Sequence, residues 1–442
     1  MFTHTIAAIS TPLAPGAISI VRLSGADALE IASRILKRPI LKDAANTIKL
    51  NTAVDEDGMA VDQVLVSVFR APRSYSGEDL VEINCHGGVH VTRRVLGLLL
   101  ENGAQLASPG EFTQRAFLNG RIDLTQAEAV EDMIEASNDN GMYLAASGIR
   151  GSIKKLLDPL IDRLEQIIAQ IEVNIDYQEY EDVEELTDEK LIPMITELLK
   201  STDAILARAR EGQLASAGVK TVILGRPNVG KSSLLNALLE EEKAIVTDIP
   251  GTTRDIVEGR IMVGDVQLDL VDTAGIRSTE DVVEKIGVEK SLEMAKKADL
   301  VLVVLDASKE IGDEDRELIE RVDSLEIPHI IVWNKSDLAI HDGVSISAKE
   351  GNISALTDTI RTMFETTGIR TTPVMTNERQ IGLLKQARIA MMRAKEALSN
   401  GDSPDLAAID LQDAWRGLKE ILGEVSREDL LDTLFSRFCL GK

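Results

Sequence analysis

The sequence predicts a multidomain α/β chain: a nucleotide-binding α/β domain inserted into an all-helical domain, preceded by a small α+β domain. Three observations carry this expectation. Gly225-Arg226-Pro227-Asn228-Val229-Gly230-Lys231-Ser232 fits the phosphate-loop pattern G-x-x-x-x-G-K-[ST]. Residues 216–373 alternate strand and helix texture, as a mainly parallel sheet requires. Helical texture flanks that stretch on both sides, and insertion into a helical domain accounts for this when the ends of the insert lie close together.

The first domain is expected at 1–118. Ala17 to Leu23 and Val61 to Phe69 read as strands, Ala26 to Leu36 and Val89 to Leu100 as helices. Turn residues separate them: Pro12, Pro15-Gly16, Pro72, Gly87-Gly88 and Pro109-Gly110. His86-Gly87-Gly88 reads best as a strand-to-helix turn. The first part of the helical domain is expected at 119–215. Leu156, Leu157, Leu160, Ile161, Leu164, Ile167, Ile168 and Ile171 recur at helical spacing, as do Leu191, Ile195, Leu198, Leu199, Ile205 and Leu206. Between them lies an acidic run from Asp176 to Glu185, read as a solvated loop. The second part is expected at 374–442, with helices over Ile381 to Leu398, Leu406 to Leu422 and Ser426 to Phe438.

Composition narrows the function classes. The chain has 442 residues, 44% of them hydrophobic, enough for two or three cored domains. Its formal net charge of −25 argues against a protein that coats nucleic acid through bulk charge. Two cysteines, Cys85 and Cys439, provide neither a disulfide framework nor a paired zinc pattern, so a reducing cytoplasm is the expected setting. The N-terminus lacks the charged start and long apolar run of a signal peptide. No stretch approaches the ~20 apolar residues of a membrane-spanning helix.

The chemistry begins at the phosphate loop. Lys220 to Leu224 reads as a short buried strand and Ser233 to Leu239 as a helix, the context such a loop needs. Glycines let backbone N–H groups turn to a β-phosphate, and the helix N-terminus adds partial positive charge. Lys231 is suited to neutralise β- and γ-oxygens, and the Ser232 hydroxyl to reach Mg²⁺. Gly225, Asn228, Val229, Gly230 and Ser233 complete the expected contacts.

Three further stretches separate guanine from adenine. Asn334-Lys335-Ser336-Asp337 follows the apolar strand Ile330 to Trp333 and matches N-K-x-D. The Asp337 carboxylate can accept hydrogen bonds from guanine N1–H and the exocyclic amine, a pairing adenine cannot offer. Ser347-Ala348-Lys349 follows the next strand, where a backbone N–H can donate to guanine O6. Asp272-Thr273-Ala274-Gly275 ends the strand Val266 to Val271. Asp272 is placed to hold Mg²⁺ through water, and the Gly275 N–H to meet the γ-phosphate. Together these motifs predict a Ras-like P-loop GTPase.

Ile249-Pro250-Gly251-Thr252-Thr253-Arg254-Asp255 lies between loop and Mg²⁺ strand, where a switch segment belongs. A Thr hydroxyl, Thr253 in our assignment, completes the Mg²⁺ shell. Thr247 and Asp248 precede it. Many small GTPases place a water-orienting Gln after the D-x-x-G glycine. Here Ile276 stands there, so another residue must orient the nucleophile. Glu284 is the candidate. On the residues alone a solvent-facing carboxylate is the better reading.

The flanking segments extend the pattern. They are Val21-Arg22-Leu23-Ser24-Gly25, Ser76-Gly77-Glu78-Asp79 with His86-Gly87-Gly88, Pro109 to Arg121, Asp123 to Ala129 and the terminal Phe438-Cys439-Leu440-Gly441-Lys442. With them the whole chain resembles the MnmE (TrmE) family of tRNA-modification GTPases. The tail resembles that family's F-C-I-G-K ending, with Leu440 in place of Ile. The resemblance implies a homodimer that joins the FAD-containing MnmG in a heterotetramer-type complex. That complex adds a carboxymethylaminomethyl-type group to carbon 5 of the wobble uridine in certain tRNAs. It implies a 5-formyltetrahydrofolate or related one-carbon tetrahydrofolate bound in the N-terminal domain, which also dimerises. The matching positions are Arg22, Glu82, Arg121 and Lys442, with Arg121 where family members often carry Lys. It implies K⁺-dependent hydrolysis activated by pairing of the GTPase domains, with Asn228, Thr247, Ile249 and Thr252 at the K⁺ site and Glu284 as catalytic glutamate. It places Cys439 at the folate site; the residue could be a nucleophile or a small apolar neighbour of Phe438. Given the acidic charge, MnmG is expected to carry much of the tRNA contact.

Two alternatives stand beside this. One is a ribosome-assembly or RNA-chaperone GTPase without modification activity, which the terminal Cys-Leu-Gly-Lys and the N-terminal segments oppose. The other is an ATP-binding scaffold, which Asn334 to Asp337 opposes.

Overall fold

The computed structural model describes residues 4–176, 188–241, 257–271, 292–364, 369, 372–425, 431, 434–436, 438 and 441. Its residue contacts divide the chain into two units. One comprises Met1–Glu135, Ala146–Asp203 and Glu378–Lys442, the other Ala136–Ala145 and Ala204–Asn377.

The first unit opens with a sheet. Its strands are β1 (Ile6–Ile9), β2 (Ile18–Ser24), β3 (Thr47–Val54), β4 (Ala60–Phe69), β5 (Leu80–His86) and β6 (Gln105–Leu106). Their order is β3-β4-β5-β2-β1-β6, antiparallel except where β1 meets β6. Helices α1 (Ala28–Arg34) and α2 (Val89–Glu101) contribute Ala28, Leu29, Val95 and Leu98 to its core. Period-two alternation sorts the strands. Val81, Ile83 and Cys85 of β5 and Val21 and Leu23 of β2 enter that core. The intervening Arg22 and Glu82 point the other way, directly opposite in the β2–β5 register. Helix α1 is shorter than the expected Ala26 to Leu36. His86 ends β5 and α2 starts at Val89, so His86-Gly87-Gly88 is the strand-to-helix turn expected.

Helices α3 (Glu111–Leu118), α4 (Leu124–Glu135), α5 (Asp139–Ile149), α6 (Ser152–Asp176) and α7 (Asp188–Ala217) follow. Leu157, Leu160, Ile161, Leu164, Ile167, Ile168 and Ile171 of α6 are buried, the stripe its periodicity predicts. The acidic run beyond Asp176 lies outside the described residues.

The second unit is built on strands β7 (Val219–Leu224), β8 (Val257–Val263), β9 (Val266–Val271), β10 (Leu300–Asp306), β11 (His329–Asn334) and β12 (Val344–Ile346). Helices α8 (Lys231–Glu241), α9 (Asp313–Asp323) and α10 (Ser354–Phe364) accompany them. The order is β12-β11-β10-β7-β9-β8, parallel except for the β8–β9 hairpin. β10 is buried along its whole length, as a central parallel strand covered on both faces must be. This is the Ras-like α/β domain. The carboxyl ends of β7, β10, β11 and β12 share one edge, where ligands bind in open α/β sheets.

The chain then returns to the first unit as α11 (Glu378–Ser399) and α12 (Pro404–Leu422). On α11, Arg379 donates to Glu128 of α4 at 2.6 and 2.9 Å, and Gln380 donates to the same carboxylate at 2.7 Å. Residues before and after the insert thus build one helical body. Of the helix expected over Ser426 to Phe438, most lies outside the described residues.

Candidate nucleotide site and a second polar cluster

Strand β7 ends at Leu224 and the phosphate loop begins at Gly225, whose φ of +151° belongs to glycine. A Cβ there would stand 2.4 Å from the Val304 carbonyl of β10. Asn228 adopts the left-handed region at φ +64°, and Gly230 at +100°. Val229 is buried in the sheet's core and anchors the loop. Lys231 starts α8, with Ser232 and Ser233 in its first turn. The Lys231 Nζ donates to the carbonyls of Gly225 and Arg226 at 2.5 and 2.9 Å, so the loop curls around its own lysine.

Asn334, at the end of β11, is 3% exposed. Its Nδ2 donates to the Val229 carbonyl at 2.8 Å, and its Oδ1 accepts from the Ala348 N–H at 3.0 Å. One amide therefore ties the phosphate loop, the N-K-x-D turn and the Ser347-Ala348-Lys349 turn together. The fit is close: a Cβ on Gly230 would lie 2.1 Å from that Nδ2. Lys335, with φ +71°, donates from Nζ to the Asn228 carbonyl at 3.1 Å and to Asp306 Oδ2 at 2.6 Å. The Ser347 hydroxyl donates to Asp337 Oδ1 at 2.9 Å, orienting that carboxylate. These parts enclose a cavity of about 570 Å³. Its lining includes Asn228, Lys231, Ser232, Asn334, Asp337 and Lys349, and its size is that of a small-molecule pocket.

The donor set suits an anionic nucleotide with a divalent ion. A glycine-wrapped loop, a helix N-terminus and a lysine face one end, and an oriented carboxylate the other. Asp306 and Leu338 belong to this site, and no motif names them. Thr247, Asp248, Ile249, Pro250, Gly251, Thr252, Thr253, Asp272, Thr273, Ala274, Gly275 and Glu284 lie outside the described residues.

The second cluster is on the N-terminal sheet. Arg22 Nε donates to Glu82 Oε1 at 3.0 Å and its Nη2 stands 2.9 Å from the same oxygen. The Arg22 Nη1 and the Ser10 hydroxyl both donate to the Gly441 carbonyl, at 3.3 and 3.0 Å. The Arg22 guanidinium lies 5.6 Å from the ring centres of both Tyr75 and Phe112, within cation–π reach. The Tyr75 hydroxyl is 2.7 Å from Thr113 Oγ1, and burial pushes its pKa up. Arg121 is bound apart from that pair, its Nε donating to the Ser74 carbonyl at 3.2 Å, next to Tyr75. Arg22, Glu82 and the residue before Lys442 are thus brought together. Cys439 and Lys442 themselves lie outside the described residues. Tyr75 and Phe112 were not among the expected site residues; aromatic side chains flanking a half-buried arginine give no motif in sequence.

Comparison with known proteins places the chain. The family model for the MnmE helical domain matches residues 124–439, and that for the GTP-binding protein TrmE N-terminus matches 5–121. The chain belongs to the MnmE family. It is similar to the tRNA modification GTPase MnmE of Bacillus licheniformis, 47% identical over 459 residues, covering 99% of this chain and 100% of the relative. It is also similar to the protein of that name from Lactococcus lactis subsp. cremoris, at 48% identity over 99% of this chain and 98% of the relative. The Bacillus subtilis protein of the same name is 46% identical over 99% and 100%. Membership in the MnmE family joins the two clusters in one chain: a GTPase-type site on one unit and a polar, aromatic-flanked arginine on the other. Among the described residues of this MnmE-family chain, no helix is long and apolar enough to cross a membrane, and no group of three or more His, Cys, Asp or Glu is placed to hold a metal.

Proposed function

We propose that this chain is a cytoplasmic K⁺-dependent GTPase of a tRNA-modifying complex. It works as a homodimer with MnmG to add a carboxymethylaminomethyl-type group to carbon 5 of the wobble uridine. The observation that carries the nucleotide reading is the doubly bonded Asn334 amide, which gathers three guanine-nucleotide motifs around one cavity. Family membership supports the tRNA reading.

In this reading Asp337 accepts the guanine N1–H and exocyclic amine, with Ser347 holding the carboxylate in orientation. The Ala348 N–H is given to Asn334, so guanine O6 needs another N–H of that turn or an exchange of partners on binding. Lys231 exchanges the carbonyls of Gly225 and Arg226 for phosphate oxygens, a charge-assisted and stronger pairing. Ser232 and Thr253 would hold Mg²⁺, with Asp272 behind them. Asn228, Thr247, Ile249 and Thr252 would hold K⁺. Mg²⁺ would neutralise phosphate charge, and K⁺ would add the positive charge that an arginine finger supplies elsewhere. Glu284 orients the attacking water, since Ile276 has no hydrogen-bonding side chain. Arg22, Glu82, Arg121 and Lys442 bind a one-carbon tetrahydrofolate, close to Cys439. Pairing of the GTPase domains during hydrolysis drives the conformational change that serves the distant tRNA site.

Two measurements test this. GTP hydrolysis is faster in K⁺ than in Na⁺ at equal ionic strength; equal rates count against the cation site. Nucleoside analysis of tRNA incubated with this chain, FAD-loaded MnmG, GTP, a one-carbon tetrahydrofolate for the methylene carbon and glycine for the carboxymethylamino part shows a modified wobble uridine. An unchanged uridine overturns the modification reading.

A further inference from the structure

We propose that Asp306 is a positioning residue for guanine-nucleotide binding, acting through Lys335 to fix the Asn228 turn of the phosphate loop. The inference rests on the guanine-nucleotide reading above and adds a residue that no GTPase motif names.

Asp306 is the last residue of β10 and is 5% exposed. It stands directly opposite Asn334 in the β10–β11 register. Both of its carboxylate oxygens are engaged. Oδ1 accepts from the Ser308 backbone N–H at 3.0 Å and from its hydroxyl at 2.6 Å, and Oδ2 accepts from Lys335 Nζ at 2.6 Å. Burial alone would raise its pKa. The bonds from Lys335 and Ser308 outweigh burial and hold it down at about 2, so the group is an anion at any working pH.

Lys335 carries the effect onward. The same Nζ donates to the Asn228 carbonyl at 3.1 Å. Asn228 holds φ at +64°, a left-handed turn that asparagine adopts more readily than other non-glycine residues and that a bond to its carbonyl helps to fix. The two tethers on consecutive carbonyls are Lys335 on Asn228 and Asn334 on Val229. Asn334 is fixed by the Ala348 N–H. Lys335 is a flexible four-carbon chain, and Asp306 is what locates its end. Without the carboxylate the ammonium loses its charged partner and the Asn228 carbonyl loses a localised donor. The loop then enters the bound state from a broader ensemble, and affinity falls by the fraction that is competent.

The test uses the full chain and the fluorescent nucleotide N-methylanthraniloyl-GDP, with Asp306→Asn, Lys335→Met and the double variant. Asp306→Asn keeps size and loses charge. The expected result is a Kd about tenfold higher for Asp306→Asn. In the Lys335→Met background the same change alters Kd by less than twofold, because the two residues act as a unit. A merely structural role for Asp306 would give losses that multiply in the double variant, and that result overturns the proposal. So does a Kd for Asp306→Asn within twofold of the native chain. Should Asp306→Asn fail to fold, Ser308→Ala removes one bond to the same carboxylate. It should raise Kd in the native background and leave it unchanged beside Lys335→Met; the same rise in both overturns the proposal. A native chain that ignores GDP overturns the guanine reading and this inference together. A native chain that binds GDP while the variants match it overturns this inference alone.

Discussion

Asn334 reaches from the end of β11 to the Val229 carbonyl, 2.8 Å away, so the turn that would read the base and the loop that would hold the phosphates are bonded side chain to backbone. The bond is buried, and a buried amide left without its partners costs about 1–3 kcal/mol.

Replacing Asn334 by Ala removes the donor to Val229 and the acceptor for the Ala348 N–H at once. We expect the variant to be destabilised by about 1–3 kcal/mol and to bind GDP at least tenfold more weakly. Thermal unfolding with and without GDP measures both, since a ligand of the native state stabilises by mass action.

Gly230→Ala places a methyl group 2.1 Å from the Asn334 amide at a φ of +100°. Strain of this kind costs about 1–3 kcal/mol, and it falls on the loop that must accept phosphate. The expected outcome is loss of GTP hydrolysis with an unaltered response to tetrahydrofolate, measured by phosphate release and by thermal shift.

Arg22→Met keeps much of the side-chain bulk and removes the guanidinium that Glu82, the Gly441 carbonyl, Tyr75 and Phe112 share. The account predicts that the thermal shift given by 5-formyltetrahydrofolate disappears while that given by GDP remains. Both shifts surviving would remove Arg22 from the folate reading.

Much of the candidate site was legible in sequence because its chemistry comes in short ordered strings. Gly225 and the Asn334-Lys335-Ser336-Asp337 run each sit at a strand end, and strand ends show as apolar runs that stop; Gly230 and Lys231 sit at the helix start that follows the loop. Asp306 was not legible: it closes the run Leu300–Asp306, and nothing in that string says that its carboxylate meets Lys335. The N-terminal sheet was half legible. β2 and β4 were read as strands, but β5 was not. Its alternation of Val81, Ile83 and Cys85 with Glu82, Asn84 and His86 sits among Gly- and Ser-rich turns that obscure a period-two run only seven residues long. The Arg22–Glu82 pair follows from the β2–β5 register, a long-range relation.

Acidity gives a further handle. Asp132 of α4 is pushed up to about 7, first by burial and then by the charges of Glu128, Glu135 and Glu131. Its folded value lies above the ordinary 3.8, so the folded chain holds a proton that the unfolded chain releases. Stability from this group is therefore present below about pH 4 and lost as pH rises towards 7, by at most about 1.4 kcal/mol per pH unit. Asp132→Asn should be more stable than the native chain at pH 8 and close to it near pH 4. Melting temperatures across that range check the sign; a variant less stable at pH 8 contradicts it.

The most direct test of the central claim is isothermal titration of the full chain with Mg²⁺-GDP and Mg²⁺-ADP, repeated for Asp337→Asn with the xanthosine nucleotide. The account predicts saturable binding of GDP, none of ADP, and a transfer of preference to xanthosine diphosphate in the variant. Equal heats for GDP and ADP, or no heat from GDP at millimolar concentration, would contradict it.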